Sequence, residues 1–103
     1  MPVLPAAWQE NLLRIGQEAL SNTLKYAHAR NFRTRLISNV KEVRLELCDD
    51  GDGFQVTERH DGVGLTGMRE RAEEMGGELK IASFQDKGTT VTAILPLNPE
   101  LVL

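Results

Sequence analysis

The fold is decided by a short run of the chain in which an alternating segment passes directly into acidic and glycine residues. Residues 42–53 read EVRLELCDDGDG. Within residues 43–47, apolar positions alternate with charged ones, which is the pattern of a β-strand with one buried face. The run that begins at Asp49 favours a turn, since Asp and Gly are depleted in strands. We therefore predict a strand over residues 42–48 that ends in an acidic turn.

The chain before this strand predicts a helix and a first strand. Between residues 6 and 28 there is no proline, and apolar residues recur at helical spacing over roughly six turns. The apolar positions form two sets, Trp8, Leu12, Ile15 and Ala19, and Leu13, Leu20, Leu24 and Ala27. Residues 31–38 alternate with period two and turn at 39–41 into the strand already described. The N-terminal half thus predicts one long helix and a β-hairpin.

The chain after the acidic turn predicts a loop, a short helix and a second hairpin. Residues 49–67 are rich in glycine, and the apolar residues that follow recur at spacings of three and four until Gly76 and Gly77. Residues 78–84 and 89–95 alternate on either side of a polar turn. The irregular part of the loop, about 12 residues, is long for so small a domain and is typical of a functional lid or of a disordered segment.

This order of elements predicts an α+β fold, a two-layer α/β sandwich in which helices cover one face of a mixed, mostly antiparallel sheet. At 103 residues the chain has room for one domain of ordinary size. We assign residues 12–96 to that domain, residues 1–11 to a linker and helix start, and residues 97–103 to a C-terminal tail. Two prolines near the start suit a linker that enters a helix, as in a piece of a longer protein.

Composition narrows the classes of function. Twelve basic and fifteen acidic residues give a formal net charge of −3, which is the wrong sign for a domain that binds nucleic acid through phosphate contacts. Cys48 is the only cysteine, so an internal disulfide and a cysteine-rich metal site are excluded and we expect a buried structural thiol. Apolar runs all fall short of the ~18 residues of a membrane span. We therefore expect a cytoplasmic fragment without nucleic-acid or membrane contacts.

Three polar residues of the predicted first helix share one side of it. At about 100° per residue, Glu18, Asn22 and Lys25 lie within an arc of about 60°. A carboxylate, an amide oxygen and an ammonium group in one stripe suit Mg²⁺ with triphosphate oxygens, because Mg²⁺ prefers oxygen ligands and lysine matches the phosphate charge. The alternative is the solvated face of an amphipathic helix, and the stripe alone does not decide between the two.

The acidic turn has chemistry of its own. A carboxylate at a strand end, as at Asp49, can accept a hydrogen bond from the exocyclic amine of a buried base, and the glycines after it let a flat ring approach the backbone. A plain polar turn is the alternative. An EF-hand calcium site is disfavoured, because the loop lacks a glutamate at its twelfth position and no matching helix precedes it.

Two further glycine motifs precede the short helix and the last strand. Residues 62–68 read GVGLTGM, and residues 88–91 read GTTV. The first motif lacks a surrounding βαβ unit and a following Lys-Ser or Lys-Thr pair, which excludes a Rossmann motif and a P-loop. A glycine-rich loop that folds over phosphates at a helix N-terminus remains. Thr89 adds a hydroxyl beside a tight turn, although β-propensity alone also favours threonine there.

Neither histidine has the setting of a phosphorylated nucleophile. His28 lies at the predicted helix end, where a cation meets the negative pole of the helix dipole. His60 lies beside Asp61 in the irregular loop, a poor place to hold a nucleophile in line with a phosphoryl group. We expect both histidines to be non-catalytic.

Four segments, at residues 17–27, 49–54, 62–65 and 88–91, resemble in this order the motif boxes of one ATP-binding domain. That domain is shared by gyrase, the large heat-shock chaperone, sensor histidine kinases and the mismatch-repair ATPase, and is called the GHKL or Bergerat fold. The run GMRERA at 67–72 looks like the sensor histidine kinases of the nitrate-sensor and desaturase-thermosensor type, whose response regulators bear helix-turn-helix output domains. The resemblance extends from about residue 12 to residue 96.

The resemblance implies a role for each matching residue. Asn22 would coordinate Mg²⁺, Asp49 would accept a hydrogen bond from the adenine amino group, and Glu18 would act as general base or order metal-bound water. Lys25 would reach a phosphate, whereas Tyr26 departs from the pattern because these kinases commonly have His there. The other implied nucleotide-binding positions are Gly51, Gly53, Gly62, Gly64, Leu65 and Thr89. The later glycines would frame a lid over the triphosphate, and the threonine would line the adenine site.

The resemblance also implies partners. A histidine kinase requires a dimerisation domain that carries the phosphoacceptor histidine, and only about 11 residues precede the resemblance here. We expect a monomeric catalytic half that binds ATP and Mg²⁺ without phosphorylating itself, cut from a kinase that can be membrane-anchored and that signals to a response regulator. A stand-alone GHKL binding module or an anti-sigma-type protein kinase is the alternative. A gyrase-like clamp is disfavoured, because only eight residues follow Leu95.

Overall fold

The computed structural model describes residues 4–24, 29–52, 65–84 and 87–97. The elements in these ranges are α1 (Ala6–Asn22), β1 (Phe32–Ser38), β2 (Glu42–Asp49), α2 (Leu65–Glu74), β3 (Glu78–Phe84) and β4 (Gly88–Pro96). Their order is the one predicted from the sequence. The predicted helix end near residue 28 and most of the glycine-rich loop lie outside the described residues. Neither described helix has both the length and the apolarity that crossing a membrane requires.

The four described strands form one sheet in the order β1-β2-β4-β3. Each neighbouring pair is antiparallel, so this part of the sheet is antiparallel throughout and shows none of the parallel pairing that the prediction allowed. The register sets Asp49, the last residue of β2, opposite Phe32 on β1 and opposite Thr89 on β4. The end of β2, which the sequence indicated as a candidate site, therefore lies between β1 and β4 and not on an edge strand.

Both described helices pack on one face of the sheet, which confirms the predicted two-layer α+β architecture. The core alternates along the two central strands and is closed by side chains from each helix. Its buried members are Ile15, Ala19, Val43, Leu45, Leu47, Leu65, Met68, Ala72, Met75, Leu79, Val91, Ala93 and Leu95. The apolar residues whose spacing predicted β2 thus face the helices, and the charged residues between them face outward.

Only one of the two apolar sets of α1 contributes to this core. Ile15 and Ala19 are buried, whereas Leu13, Leu20 and Leu24 are 60%, 40% and 77% exposed. The sheet covers a single side of the helix, so residues turned away from it stay in solvent despite their helical spacing. The apolar half of α1 is therefore wider than the surface that the sheet covers.

The end of α2 is the glycine stop predicted from the sequence. Gly76 has φ +76°, and its N–H donates to the carbonyl of Glu73 at 2.9 Å. The N–H of Gly77 donates to the carbonyl of Ala72 at 3.0 Å. This pair of bonds is a Schellman motif, in which a left-handed residue satisfies the last carbonyls of a helix.

A buried amide joins the two helices. Asn11 of α1 is 9% exposed, its Nδ2 donates to Glu74 Oε2 at 3.2 Å, and its Oδ1 accepts from Arg71 Nη1 at 3.2 Å. Both partners lie on the last turn and a half of α2. The Asn11 side chain therefore bonds an acidic and a basic residue of α2, and these bonds favour one axial position of α1 relative to α2.

Candidate functional site

The last turn of α1 meets the end of β2 through the carboxylate of Asp49. Thr23 Oγ1 lies 3.1 Å from Asp49 Oδ2 and also 3.1 Å from the carbonyl of Ala19, so the hydroxyl proton is shared between two acceptors. The N–H of Gly51 donates to the other oxygen, Asp49 Oδ1, at 2.9 Å. Each carboxylate oxygen thus accepts one bond from the described part of the chain and keeps lone-pair capacity for a ligand donor.

Opposite Asp49, the start of β4 and the end of β3 supply a buried pair of hydroxyls. Thr89 and Ser83 are each 8% exposed, and their hydroxyl oxygens lie 2.7 Å apart. Gly88, the residue before Thr89, has φ +89°, and a Cβ added there would lie 2.2 Å from the carbonyl oxygen of Asp49. Glycine is required at this position for its conformation and for the close approach, and it brings Thr89 against the strand end.

The predicted metal ligand, Asn22, and the predicted base or water-ordering acid, Glu18, lie at the same end of α1. Glu18 and Asn22 are one turn apart and half-buried, and Asn22 is next to the Thr23 that contacts Asp49. Over the described ranges, His, Cys, Asp and Glu form no cluster of three or more that could hold a metal ion. A carboxylate and an amide oxygen at helical spacing nevertheless fit Mg²⁺, which binds few protein oxygens and completes its shell with water and phosphate.

Leu65, expected to contact the nucleotide, contributes its side chain to the core instead. It is 1% exposed and starts α2, packed with Met68 among the buried residues. A nucleotide contact from this residue therefore falls to its backbone. Four other predicted residues, Lys25, Gly53, Gly62 and Gly64, lie outside the described residues, and their roles stay predictions.

Asp50 is a site feature that the sequence did not reveal. Its Oδ1 accepts from the backbone N–H groups of Arg30 and Asn31, both at 2.9 Å, and its Oδ2 accepts from Asn31 Nδ2 at 2.8 Å. The N–H of Asp50 donates to the carbonyl of Asn31 at 3.3 Å. These donors, the backbone N–H of Asn31 foremost, hold the pKa of the Asp50 carboxyl below its ordinary value of 3.8.

Residues 9–99 match the model of the histidine kinase-, DNA gyrase B- and HSP90-like ATPase family. The chain belongs to this ATPase family. The sensor protein VraS of Staphylococcus epidermidis and that of Staphylococcus aureus are each 38% identical to it over 98 residues. The match covers 94% of this chain but 28% of the length of either relative.

Solved structures show the same fold in other members of the ATPase family. The histidine kinase domain of a blue-light activated histidine kinase from Erythrobacter litoralis superposes with a TM-score of 0.77 at 22% identity, over 91% of this chain and 46% of that one. The ATP binding domain of PrrB from Mycobacterium tuberculosis gives 0.74 at 20% identity, over 86% and 68%. The family and fold inferred from the four motifs are thus confirmed, and the nitrate-sensor subtype remains a prediction.

Three residues around the Asp49 carboxylate were missed from sequence, namely Thr23, Asp50 and Ser83. Alternation along β2 does separate the two neighbouring acids, because Asp49 shares the helix-facing side with Leu47 and Asp50 follows on the other side. The partners of these acids come from segments 26 and 19 residues away. The spacing of residues within one segment cannot predict contacts between segments so far apart in sequence.

A cleft of about 410 Å³ lies where β1 starts and β2 ends, and both Asp49 and Asp50 line it. Its lining residues are Asn31, Phe32, Arg33, Cys48, Asp49 and Asp50. Cys48 pairs with Arg33 in the register and alternates with the core residue Leu47, so both face away from the helices. Cys48 is half-buried, not buried as expected, because neither described helix covers this face, and its Sγ accepts from Thr90 Oγ1 at 3.6 Å.

Proposed function

We propose that this chain binds Mg-ATP as the catalytic domain of a sensor histidine kinase. In the full-length protein it donates the γ-phosphoryl group to a histidine on a separate dimerisation domain, for relay to a response regulator. One observation supports this above the others: the Asp49 carboxylate is oriented on both oxygens, by Thr23 and Gly51, at a strand end that faces Thr89. Membership of the ATPase family and the VraS relatives support the same assignment.

Adenine recognition follows from the donor and acceptor pattern. The ionised Asp49 carboxylate only accepts hydrogen bonds, so it pairs with the exocyclic amine of adenine. Guanine has a carbonyl oxygen at the equivalent ring position, which would place two acceptors against each other. Because an unpaired buried acceptor is costly, the site should discriminate strongly between the two bases.

We assign phosphate binding to Asn22 and Lys25. Asn22 would hold the Mg²⁺ ion through its amide oxygen, and Lys25 would contact a phosphate. When bound, Mg²⁺ supplies positive charge that neutralises the triphosphate and the charge developing during transfer. We assign Glu18 to ordering water beside the metal or acting as a base.

The transfer itself requires the partner domain. The bond between the γ-phosphorus and its bridging oxygen breaks and leaves ADP, while a bond forms between that phosphorus and an imidazole nitrogen of the acceptor histidine. Positioning and charge neutralisation provide most of the rate of phosphoryl transfer, so this chain alone supplies the donor half. Its relatives are longer, since the match covers 28% of their length.

A titration of the chain with ATP, ADP and GTP, with Mg²⁺ and with EDTA, tests the proposal. Isothermal calorimetry should detect ATP and ADP and show GTP binding at least about 100-fold weaker, the scale of discrimination by paired polar groups. Equal affinity for ATP and GTP would refute adenine recognition at Asp49.

A variant of Asn22 tests whether this residue coordinates Mg²⁺. Asn22→Ala should weaken Mg-ATP much more than ATP in EDTA, by about tenfold, because it removes an amide oxygen from the metal shell. Gln17→Ala, an exposed change on the same helix, is the control and should leave both affinities unchanged. Equal losses with and without Mg²⁺ for Asn22→Ala would exclude metal coordination by this residue.

A further inference from the structure

Asp50 makes four hydrogen bonds with the two residues that lead into β1. Three donors converge on its carboxylate, the N–H groups of Arg30 and Asn31 and the side-chain amide of Asn31, at 2.8 to 2.9 Å. A fourth bond runs back from the Asp50 N–H to the Asn31 carbonyl at 3.3 Å. Because the carboxylate bonds two successive N–H groups and one side chain at once, it fixes the orientation of this segment as well as its distance.

Asp49 and Asp50 hold opposite ends of the connection between α1 and β1. Asp49 bonds Thr23, at the helix end, whereas Asp50 bonds Arg30 and Asn31, at the strand start. The two aspartates are joined by one rigid peptide unit, so a displacement of Asp50 moves the Cα of Asp49 with it. The orientation of the Asp49 carboxylate therefore depends on both attachments.

We infer that Asp50 is a positioning residue for nucleotide binding: it anchors the start of β1 to the turn that carries Asp49 and thereby holds the Asp49 carboxylate in place for adenine. This inference rests on the proposed function. Asp50 is exposed, so its contribution comes from the geometry of four bonds and not from the Coulomb energy of its charge, which solvent screens.

The test separates hydrogen-bond acceptance from charge. Asp50→Ala removes every side-chain bond, whereas Asp50→Asn removes the charge and keeps an oxygen that can accept from both backbone N–H groups. Glu78→Ala, an exposed acid on β3 that faces Lys80, removes a charge elsewhere. ATP affinity is measured by calorimetry, and the amide resonances of Arg30 and Asn31 report the anchor by NMR.

Asp50→Ala should bind ATP about tenfold more weakly, the effect seen when an outer hydrogen-bond partner of a ligand-binding residue is lost. The Arg30 and Asn31 amide protons should move upfield together. Asp50→Asn should stay within about twofold of the unmodified chain and keep most of the shift, because its oxygen still accepts. Glu78→Ala should match the unmodified chain in both readouts.

Three results would overturn the inference. Asp50→Ala with unchanged ATP affinity and lost amide shifts would show that the anchor does not position Asp49, while the proposed function stands. Asp50→Asn as weak as Asp50→Ala would assign the effect to charge. If Asp50→Ala does not fold, Asn31→Ala, which removes one of the four bonds, should weaken ATP about threefold, and unchanged affinity would overturn the inference. Absence of ATP binding by the unmodified chain would overturn the proposed function itself.

Discussion

Asp49 and Asp50 are adjacent and carry the same side chain, but they have different hydrogen-bond partners. Strand alternation, readable from sequence, places Asp49 on the helix-facing side with Leu47. The candidate adenine carboxylate was therefore predictable. Its bond from Thr23 was not, because that contact depends on where α1 ends above the sheet. The role of Asp50 was missed for the same reason, since both its partners belong to a connection that local pattern does not position.

Glycine at position 88 is predicted to be essential for stability. Alanine there would combine a left-handed conformation, φ +89°, with a Cβ 2.2 Å from the Asp49 carbonyl oxygen. Gly88→Ala should lower the free energy of unfolding by ~3 kcal/mol, from backbone strain and overpacking together. Denaturant unfolding measures the change.

Gly67→Ala is the matched control for this prediction. Gly67 lies in α2, and a Cβ there would have no atom of the described residues within 4 Å beyond its chain neighbours and the backbone of its own helix. Alanine in an exposed helix position is favoured over glycine, so the control should be as stable or up to ~1 kcal/mol more stable. Equal stability losses for the two variants would contradict the close approach at Gly88.

At the scale of elements, periodicity predicted which segments are helices and strands but not how much of each is covered. The spacing of Leu13, Leu20 and Leu24 is as helical as that of Ile15 and Ala19, yet the first three are exposed. Leu36 of β1 is likewise 44% exposed, because β1 is an edge strand of the sheet that the described residues form. The spacing of apolar residues identifies an apolar face of a helix or strand, whereas the burial of that face depends on which other element packs against it.

The contact between α1 and α2 gives a prediction at this scale. Asn11→Ala should lower the free energy of unfolding by ~1 to 2 kcal/mol, because it removes both hydrogen bonds of the buried amide, and Arg71 and Glu74 each lose that partner. Glu10→Ala, an exposed neighbour on the same helix, should change stability by less than ~0.5 kcal/mol. Thermal and denaturant unfolding of both variants measure this, and equal values would mean that the amide contributes nothing to packing.

At the scale of the whole molecule, motifs far apart in sequence converge at one end of the sheet. The end of α1, the turn after β2 and the start of β4 meet around Asp49. The order of these motifs along the chain was enough to indicate the family, because each motif matched one box of the same domain. The glycine box of the predicted lid, at residues 62–65, was equally visible in sequence, but all of it except Leu65 lies outside the described ranges.

The isolated chain is predicted to bind ATP without phosphorylating itself. Incubation with γ-labelled Mg-ATP should leave the chain unlabelled, since positioning of the acceptor histidine provides most of the rate and that histidine is assigned to a separate domain. Addition of the dimerisation domain of the parent kinase is the positive control and should give acid-labile label on that domain. Label on His28 or His60 of the isolated chain would contradict the assignment of both as non-catalytic.

The central claim is that Asp49 recognises adenine, and calorimetric titration of Asp49→Asn with Mg-ATP tests it most directly. The variant keeps an oxygen for the Gly51 N–H, so it should fold as the unmodified chain does, and Asp52→Asn provides the same change in the same turn. ATP affinity should fall by about 100-fold or more for Asp49→Asn, because an amide donor then opposes the adenine amine, and should be retained by Asp52→Asn. A folded Asp49→Asn chain that binds ATP with unchanged affinity would contradict the claim.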